Sequence, residues 1–479
     1  MHYEPVIGLE VHIQLNTKSK IFAGDSAEFG GAPNTHVGVV TLAHPGTLPV
    51  TNKQVIEHAV RLGLACNCDI SQYMYFDRKH YFYPDLPKGY QVTQQNTPVC
   101  RNGFIKIKTK EGAEKKINLT RIHLEEDAGK SIHDMDENYT MIDLNRAGVP
   151  LMEMVTDPVI ETSEDAAAFL SEVRKLVRYL EICDGNMEEG SLRCDANVSV
   201  REKGSKTLGT RCEIKNMNSI RYVHKAIEGE IQRQINLLKN GEKIEQETRS
   251  YDAINNLTFP LRDKEQAHDY RYFPDPDIAP VVITEDFIHK IKSAMPALPN
   301  ELFKKFTTEF GLPAQDAITL IDTKEFAGYY QQLILHTQFY KAVSNWLLGP
   351  VKSYLNETKA GIENFSVSPK KLADMIQLVE ENKVGNTTAA QQLLPQMILH
   401  PHKSALELAE ELNILLQSDT NELKQFVEQA LNLYPEKVIE YKKGKKNLMG
   451  LFMGEVMKLS NGKADPKVVS QLLKKMLGN

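Results

Sequence analysis

The stretch VIGLEVHIQL at 6–15 alternates apolar and polar residues without a break from Leu9 onward. Successive side chains of an extended strand point to opposite faces. Leu9, Val11, Ile13 and Leu15 therefore share one face, and Glu10, His12 and Gln14 the other. The same pattern recurs downstream. In TRIHLEED (120–127), Ile122 and Leu124 oppose Arg121, His123, Glu125 and Asp127. In PLMEMV (150–155), Leu151, Glu153 and Val155 share a side. In SLRCDANVSV (191–200), Leu192, Cys194, Ala196, Val198 and Val200 oppose Ser191, Arg193, Asp195, Asn197 and Ser199. In TRCEIKN (210–216), Arg211, Glu213 and Lys215 oppose Cys212 and Ile214.

One charged strand face is ordinarily a solvated edge. Several such faces, mixing carboxylates with His, Arg and Asn, predict a polar sheet surface that binds an anionic ligand through a metal. Carboxylates suit a hard cation such as Mg²⁺, with phosphate oxygens completing its shell. An imidazole widens the choice to Mn²⁺ or Zn²⁺. Neighbouring Arg and Lys would neutralise a transferring phosphate. His123 and His133 are each expected to make a structural hydrogen bond.

Around this sheet the texture of the chain changes once. Residues up to about 290 are rich in Gly, Pro, Tyr and short alternating runs, as strands and turns require. An amphipathic helical pattern interrupts them at 164–183 and becomes the rule after Pro299, as in 323–351, 368–382 and 404–417. Ser368 before Pro369, and Thr388 before Ala389, read as helix starts. A further boundary near His400-Pro401-His402 would set off a small helical module rich in lysine. The pattern is thus α+β: a large sheet-based N-terminal domain over 1–293, an all-α domain over 294–405, and a small helical tail over 406–479.

Composition bounds the function. The 479 residues carry a formal net charge of −6, which argues against a surface coated for nucleic acid but leaves room for one basic patch. No run of about 18 apolar residues suggests a membrane span. The start of the chain has no basic lead, and Glu10 and His12 interrupt its apolar stretch, so it does not read as a signal peptide. The six cysteines show no repeated spacing, which predicts free thiols in a reducing cytoplasm. Cys66 and Cys68 lack a second close pair and read as packing.

Absent motifs narrow it further. DAGKS at 127–131 resembles the end of a phosphate-binding loop, but Leu124 stands where its first Gly is needed. There is no G-x-G-x-x-G turn after a strand and no G-x-S-x-G elbow. No Cys has a nucleophile-like setting. A covalent hydrolase is not indicated, and any ammonia drawn from glutamine would be released by another chain.

The ordered series VIGLEVHIQL, FDRKHYFYPDLPKGYQVTQ (76–94), TRIHLEEDAGKS, DLNRAGVPLMEMV, MEEGSLRCDANVSVR, EIKNMNS and DYRYFPDPDI (269–278) resembles the motif series of the B subunit of tRNA-dependent amidotransferases. It spans most of the first 280 residues. The resemblance implies a glutamine-synthetase-like cradle, a helical domain and a YqeY-like tail. It implies a glutamine-dependent carbon–nitrogen ligase. ATP and Mg²⁺ would serve phosphorylation of the side-chain carboxylate of Glu on tRNA(Gln), or of Asp on tRNA(Asn), before amidation. The implied partners are the glutaminase A subunit, a small C subunit and the misacylated tRNA, in a cytoplasmic heterotrimer.

Carried over residue by residue, the family's metal ligands match His12, one of Glu125 and Glu126, and Glu153. Alternation favours Glu125; a bulge at 125–127 would hand the role to Glu126, and both stand as candidates. Glu10 lies beside them. Asp195, Glu213, Lys215 and Asn216, with Arg193, are candidates for the nucleotide or acyl-phosphate end; ordinary cross-strand ion pairs would explain the same residues. Lys79, Tyr81, Tyr83, Lys88 and Arg271 would line an ammonia passage or carboxylate pocket, unless they are packed turns. Lys442, Lys443, Lys445 and Lys446 would meet tRNA phosphates. Many family members carry a four-cysteine zinc site in the segment matching 20–50. Here those positions are Ala23, Asp25, Gly38 and Thr41, so no structural zinc is expected.

Overall fold

A computed structural model describes residues 3–261, 269–416, 420–460 and 463–478. It divides into two compact units, Met1–Leu298 and Pro299–Asn479. The first runs beyond 293 because Met295 and Leu298 pack against its core.

A ten-stranded sheet organises the first unit. Its strands are β1 (Tyr3–Gln14), β2 (Asp69–Ile70), β3 (Cys100–Arg101), β4 (Phe104–Lys108), β5 (Glu114–Glu126), β6 (Pro150–Thr156), β7 (Leu192–Glu202), β8 (Cys212–Lys215), β9 (Thr248–Asp252) and β10 (Leu257–Pro260). The order is β10-β9-β8-β7-β1-β6-β5-β3-β2, with β4 also paired to β5. Every pairing is antiparallel except β8 with β9. One face is apolar: Leu9, Val11, Ile13, Ile122, Leu124, Met152, Met154, Cys194, Ala196 and Val198 are buried.

Two helices, α1 (Ser163–Tyr179) and α2 (Ile220–Lys239), contribute Phe169, Leu170, Val173, Val223 and Ile227 to the same core. Their starts are capped. The Thr162 hydroxyl accepts from the Asp165 N–H at 3.0 Å, and the Ser219 hydroxyl from the Tyr222 N–H at 3.2 Å. Each satisfies an amide that the first helical turn leaves unpaired. The core therefore lies on one side of the sheet, and the charged row of β1 faces the other.

Strand β5 contains the irregularity that shapes that charged face. Its pairing to β6 runs Glu126 with Pro150, Glu125 with Leu151, His123 with Glu153 and Arg121 with Val155, then jumps to Leu119 with Thr156. Thr120 is the extra residue. Before it, odd-numbered Ile117 and Leu119 are buried; after it, even-numbered Ile122 and Leu124 are. Such a bulge exchanges the faces of all residues on one side of it.

The second unit is helical. The expected start at Ser368 holds: Ser368 is the N-cap of Pro369–Glu380, with Pro at the first turn. The other shifts. The helix near Thr388 is capped by Gly385 and begins at Asn386, so Thr388 lies in its first turn. The 323–351 stretch is not one helix but Lys324–Leu333, Tyr340–Trp346 and a π-helical turn Leu347–Val351 containing Pro350. Proline lacks an N–H donor, and wider turns absorb that gap. From Leu423 to Leu477 the tail buries its own cluster, including Val427, Tyr441, Phe452, Val469 and Leu473. Among the described residues no helix is long and apolar enough to cross a membrane. All six cysteines are free thiols.

Candidate active site

The β1 register sets the site. His12 lies opposite Glu153 on β6 and opposite Arg193 on β7, and Glu153 in turn lies opposite His123 on β5. Three adjacent strands thus align His12, Glu153 and His123 in one row. Glu125 comes one pleat further along β5. The His12 Nε2 is 3.4 Å from Glu153 Oε2 and 3.9 Å from Glu125 Oε1. One ligand atom from each of His12, Glu125 and Glu153 lies within 4.8 Å of the others. The three side chains are 18%, 7% and 15% exposed, so the group is recessed but reachable.

Burial opposes charge on the His12 ring, yet the hydrogen bond to Glu153 and the charges of Glu153, Glu125 and Asp195 raise its pKa to about 9. The surroundings select a cation. Glu153 is held below the usual carboxylate range. Burial alone would raise it, but His123, His12 and Arg121 outweigh that. Glu10 is shifted up, first by burial and then by Glu153, Glu213 and Asp195, and its Oε1 accepts from Asn197 Nδ2 at 3.0 Å. Two carboxylate oxygens and one imidazole nitrogen at this spacing fit a divalent ion whose other positions are open to substrate.

The sheet separates Glu125 from Glu126. No bulge interrupts 121–126, so the two carboxylates face opposite ways. Glu126 accepts from Lys88 Nζ at 2.6 Å and from the Val92 N–H at 2.9 Å. It is not in the ligand group.

His123 is more engaged than its expected structural role. It is 4% exposed, and its Nε2 lies 3.6 Å from Glu125 Oε2 and 3.5 Å from Glu153 Oε2. Among the described residues its buried Nδ1 has no partner, and the two carboxylates are the ring's polar neighbours. Alternation placed His123 on this face; only the cross-strand register brings it to both acids. His133 sits apart, its Nδ1 3.0 Å from Thr140 Oγ1 in an exposed hairpin.

The remaining candidates fall in three places. Lys215 Nζ is 3.6 Å from Asp195 Oδ2 and 3.3 Å from Glu213 Oε1, on the β7–β8 side of the same face. Thr248 Oγ1 donates to Glu213 at 3.0 Å, and Asn216 Nδ2 to Ser250 Oγ at 2.9 Å. Burial lifts Asp195 against the opposing pull of Lys215. Arg193 pairs with Asp127 at 2.8 Å, and among the described residues its buried Nε has no partner. Lys79 Nζ lies 4.7 Å above the Tyr270 ring and 5.5 Å from that of Tyr81. Tyr81 donates to Gln91 Oε1 at 3.2 Å. Tyr83 is exposed, as is Arg271, whose φ is +47°. Tyr272, not singled out by its sequence context, is pushed up to about 12 by burial and then by Tyr270, with Glu125 and Glu153 adding to it; it is close enough to feel the site. In the second unit Lys442, Lys443, Lys445 and Lys446 are exposed around the end of Pro435–Lys442. Lys445 reaches Glu440 at 3.1 Å, and Lys446 lies 4.6 Å from the Tyr441 ring centre.

The four positions where the resemblance suggested comparing a zinc site, Ala23, Asp25, Gly38 and Thr41, do not offer a zinc ligand set. Ala23 and Gly38 offer no ligand, and the Thr41 hydroxyl donates to the Asp25 carboxylate. A β-carbon at residue 38 would collide with that carboxylate. Packing and this clasp close the loop.

The sequence profile of the GatB/GatE catalytic domain matches residues 5–289, and that of a GatB domain matches 328–477. The chain belongs to the B-subunit family of tRNA amidotransferases. Several relatives carry the name of the B subunit of aspartyl/glutamyl-tRNA(Asn/Gln) amidotransferase. One, from Thermodesulfovibrio yellowstonii, is 46% identical over all of both chains. Another, from Chlorobium phaeobacteroides, is 47% identical over all of both chains. A third, from Salinibacter ruber, is 45% identical over 99% of this chain and 97% of its own. The family's matched catalytic profile covers the whole charged face.

Proposed function

We propose that this chain phosphorylates the side-chain carboxylate of Glu on tRNA(Gln), or of Asp on tRNA(Asn), with ATP, and then exchanges phosphate for ammonia. It would do so as the B subunit of a glutamine-dependent carbon–nitrogen ligase. The carboxylate oxygen attacks the γ-phosphorus and ADP leaves. Ammonia then attacks the acyl carbon and phosphate leaves, giving the amide. A carboxylate at neutral pH is a poor electrophile, so activation must come first.

The observation that carries this reading is the convergence of His12, Glu125 and Glu153 from three strands. Those three residues would hold the Mg²⁺ that family membership implies. When bound, it neutralises phosphate oxygens as a Lewis acid. His123 would hold Glu125 and Glu153 in place. Glu10 and Asp195 add negative charge that favours a cation at the site, while Lys215, Asn216 and Arg193 flank the nucleotide end. Glu126 would act on the opposite side of β5, together with Lys88. Lys79, Tyr81, Tyr83, Tyr272 and Arg271 would border the approach of ammonia and the acyl group.

The charged face would be the floor of a glutamine-synthetase-like cradle, with the acyl end of the tRNA laid on it. The lysines near 442–446 would bind tRNA phosphates through a largely sequence-blind attraction. Ammonia would come from a glutaminase A subunit, with a C subunit completing a cytoplasmic heterotrimer. The test is ATP turnover by the reconstituted assembly with each misacylated tRNA. ADP formation that needs both the tRNA and a divalent ion supports the proposal. Amide formation without ADP release would overturn it, and a tRNA-binding scaffold would release none under any condition.

A further inference from the structure

Arg121 shares the charged face with His123 and Glu125 through the unbroken register of 121–126, immediately after the bulge. Leu119 has the same parity yet is buried in the apolar core, because Thr120 is an extra residue between the two. Bulges are enriched beside active sites, where they re-aim a side chain. The register then puts Arg121 in the row of Val155 and Glu10, next to the row of His123, Glu153 and His12.

Glu10 lies in the row of Arg121 and Glu153 in the next, Arg101 stands directly opposite Arg121 on β3, and among the described residues the Arg121 side-chain donors are unused. Arg193 is occupied by Asp127, Lys215 by Asp195 and Glu213, and Lys88 by Glu126. The half-buried Arg121 side chain makes no hydrogen bond or ion pair among the described residues, although its charge is felt by Glu153 and Tyr272. A half-buried guanidinium with five unused donors is poorly satisfied unless water or a ligand meets it. Its planar fork matches two oxygens of one oxyanion.

We propose that Arg121 docks the reacting oxyanion beside the His12–Glu125–Glu153 group, gripping the phosphoryl group as it passes from nucleotide to carboxylate. This rests on the function proposed above and adds to it the residue that orients the transferred group. The fork would lie on the β5 side, facing the charge that develops on the phosphoryl oxygens.

Two probes separate the possible sources of the oxyanion: inorganic phosphate and acetate. Binding of each to the full chain is followed by NMR, with and without Mg²⁺, for wild type, Arg121→Gln and Arg121→Lys. Mn²⁺ affinity is read separately by electron paramagnetic resonance. Arg121→Gln should weaken phosphate by about tenfold or more, the range for losing charge-assisted hydrogen bonds. Arg121→Lys should fall between, keeping charge but not the fork. Mn²⁺ affinity should not fall, since a positive charge beside Glu153 is removed, and the melting temperature should barely change. Loss confined to acetate would make Arg121 a carboxylate dock and overturn its phosphoryl role. Unchanged affinity for both probes would overturn the docking role altogether. A wild-type chain that binds no Mn²⁺ would sink the metal reading instead, and the metal-free arm would still decide Arg121.

Discussion

Glu125→Gln and Glu126→Gln should have opposite consequences, although the residues are adjacent. Glu126 is 3% exposed and compensates Lys88, whose side chain is 15% exposed. Removing one partner of a buried ion pair costs roughly 3–5 kcal/mol. Glutamine can still accept from the Val92 N–H, so the lower end, about 3 kcal/mol, applies. For a large domain each kcal/mol moves the melting temperature by roughly 2 °C, giving a fall of about 6 °C. Mn²⁺ affinity should be unchanged. Glu125→Gln removes a charged ligand atom, so affinity should fall by at least about a hundredfold, more than loss of an outer-sphere partner costs. Its melting temperature should move little. The assays are circular-dichroism melting and calorimetric Mn²⁺ titration of the same preparations. If Glu126→Gln lost as much Mn²⁺ affinity as Glu125→Gln, the assignment of the two carboxylates to opposite faces would fail.

Other consequences can be measured independently. His123→Phe should cut Mn²⁺ affinity by about ten- to a hundredfold, the range for a residue that orients ligands, while His123→Asn should recover part of it; equal affinity in all three would refute the role. Lys20 is fully buried; among the described residues its Nζ makes one long hydrogen bond, to the Leu144 carbonyl at 3.4 Å, and burial lowers its pKa to about 8. A lysine whose folded pKa lies below its unfolded value destabilises the fold when protonated, fully below pH 8, and the penalty vanishes as pH rises toward 10.5. Lys20→Met should therefore raise the melting temperature at pH 7, by up to about 3 kcal/mol of stability, and lose that advantage near pH 10; a pH-independent difference would contradict it. Replacing Lys442, Lys443, Lys445 and Lys446 with Ala should weaken tRNA binding by the assembly and flatten its salt dependence, by up to roughly 0.7–0.9 in log–log slope per lost phosphate contact; an unchanged slope would remove them from the interface.

Much of this site is legible in the chain's residue pattern alone. Strict alternation in 9–15 and 191–200 puts Glu10, His12, Arg193 and Asp195 on one face, because a one-residue slip would bury all of them. The same rule favours Glu125 over Glu126, and an unbroken register over 121–126 keeps them on opposite faces. What sequence could not supply was the register between distant strands. The row His12–Glu153–His123 exists only once β1, β6 and β5 pair, so His123 looks ordinary in isolation. The bulge at Thr120 has no local signal, since TRIHLEED alternates by itself and the break lies in its pairing to 155–156. Aromatic loops are equally opaque: Tyr272 comes near Glu125 and Glu153 through chain tracing that no periodicity encodes. A helix start shifts where glycine takes the cap, as at Gly385, and a helix widens into a π-turn where proline removes a donor, as at Pro350.

The most direct test of the account is a Mn²⁺ titration of the full chain by electron paramagnetic resonance, for wild type, His12→Ala and Glu153→Ala. One site should bind in the wild type and vanish in both variants, with their melting temperatures close to wild type. Equal binding in all three, or none in a folded wild type, would contradict it.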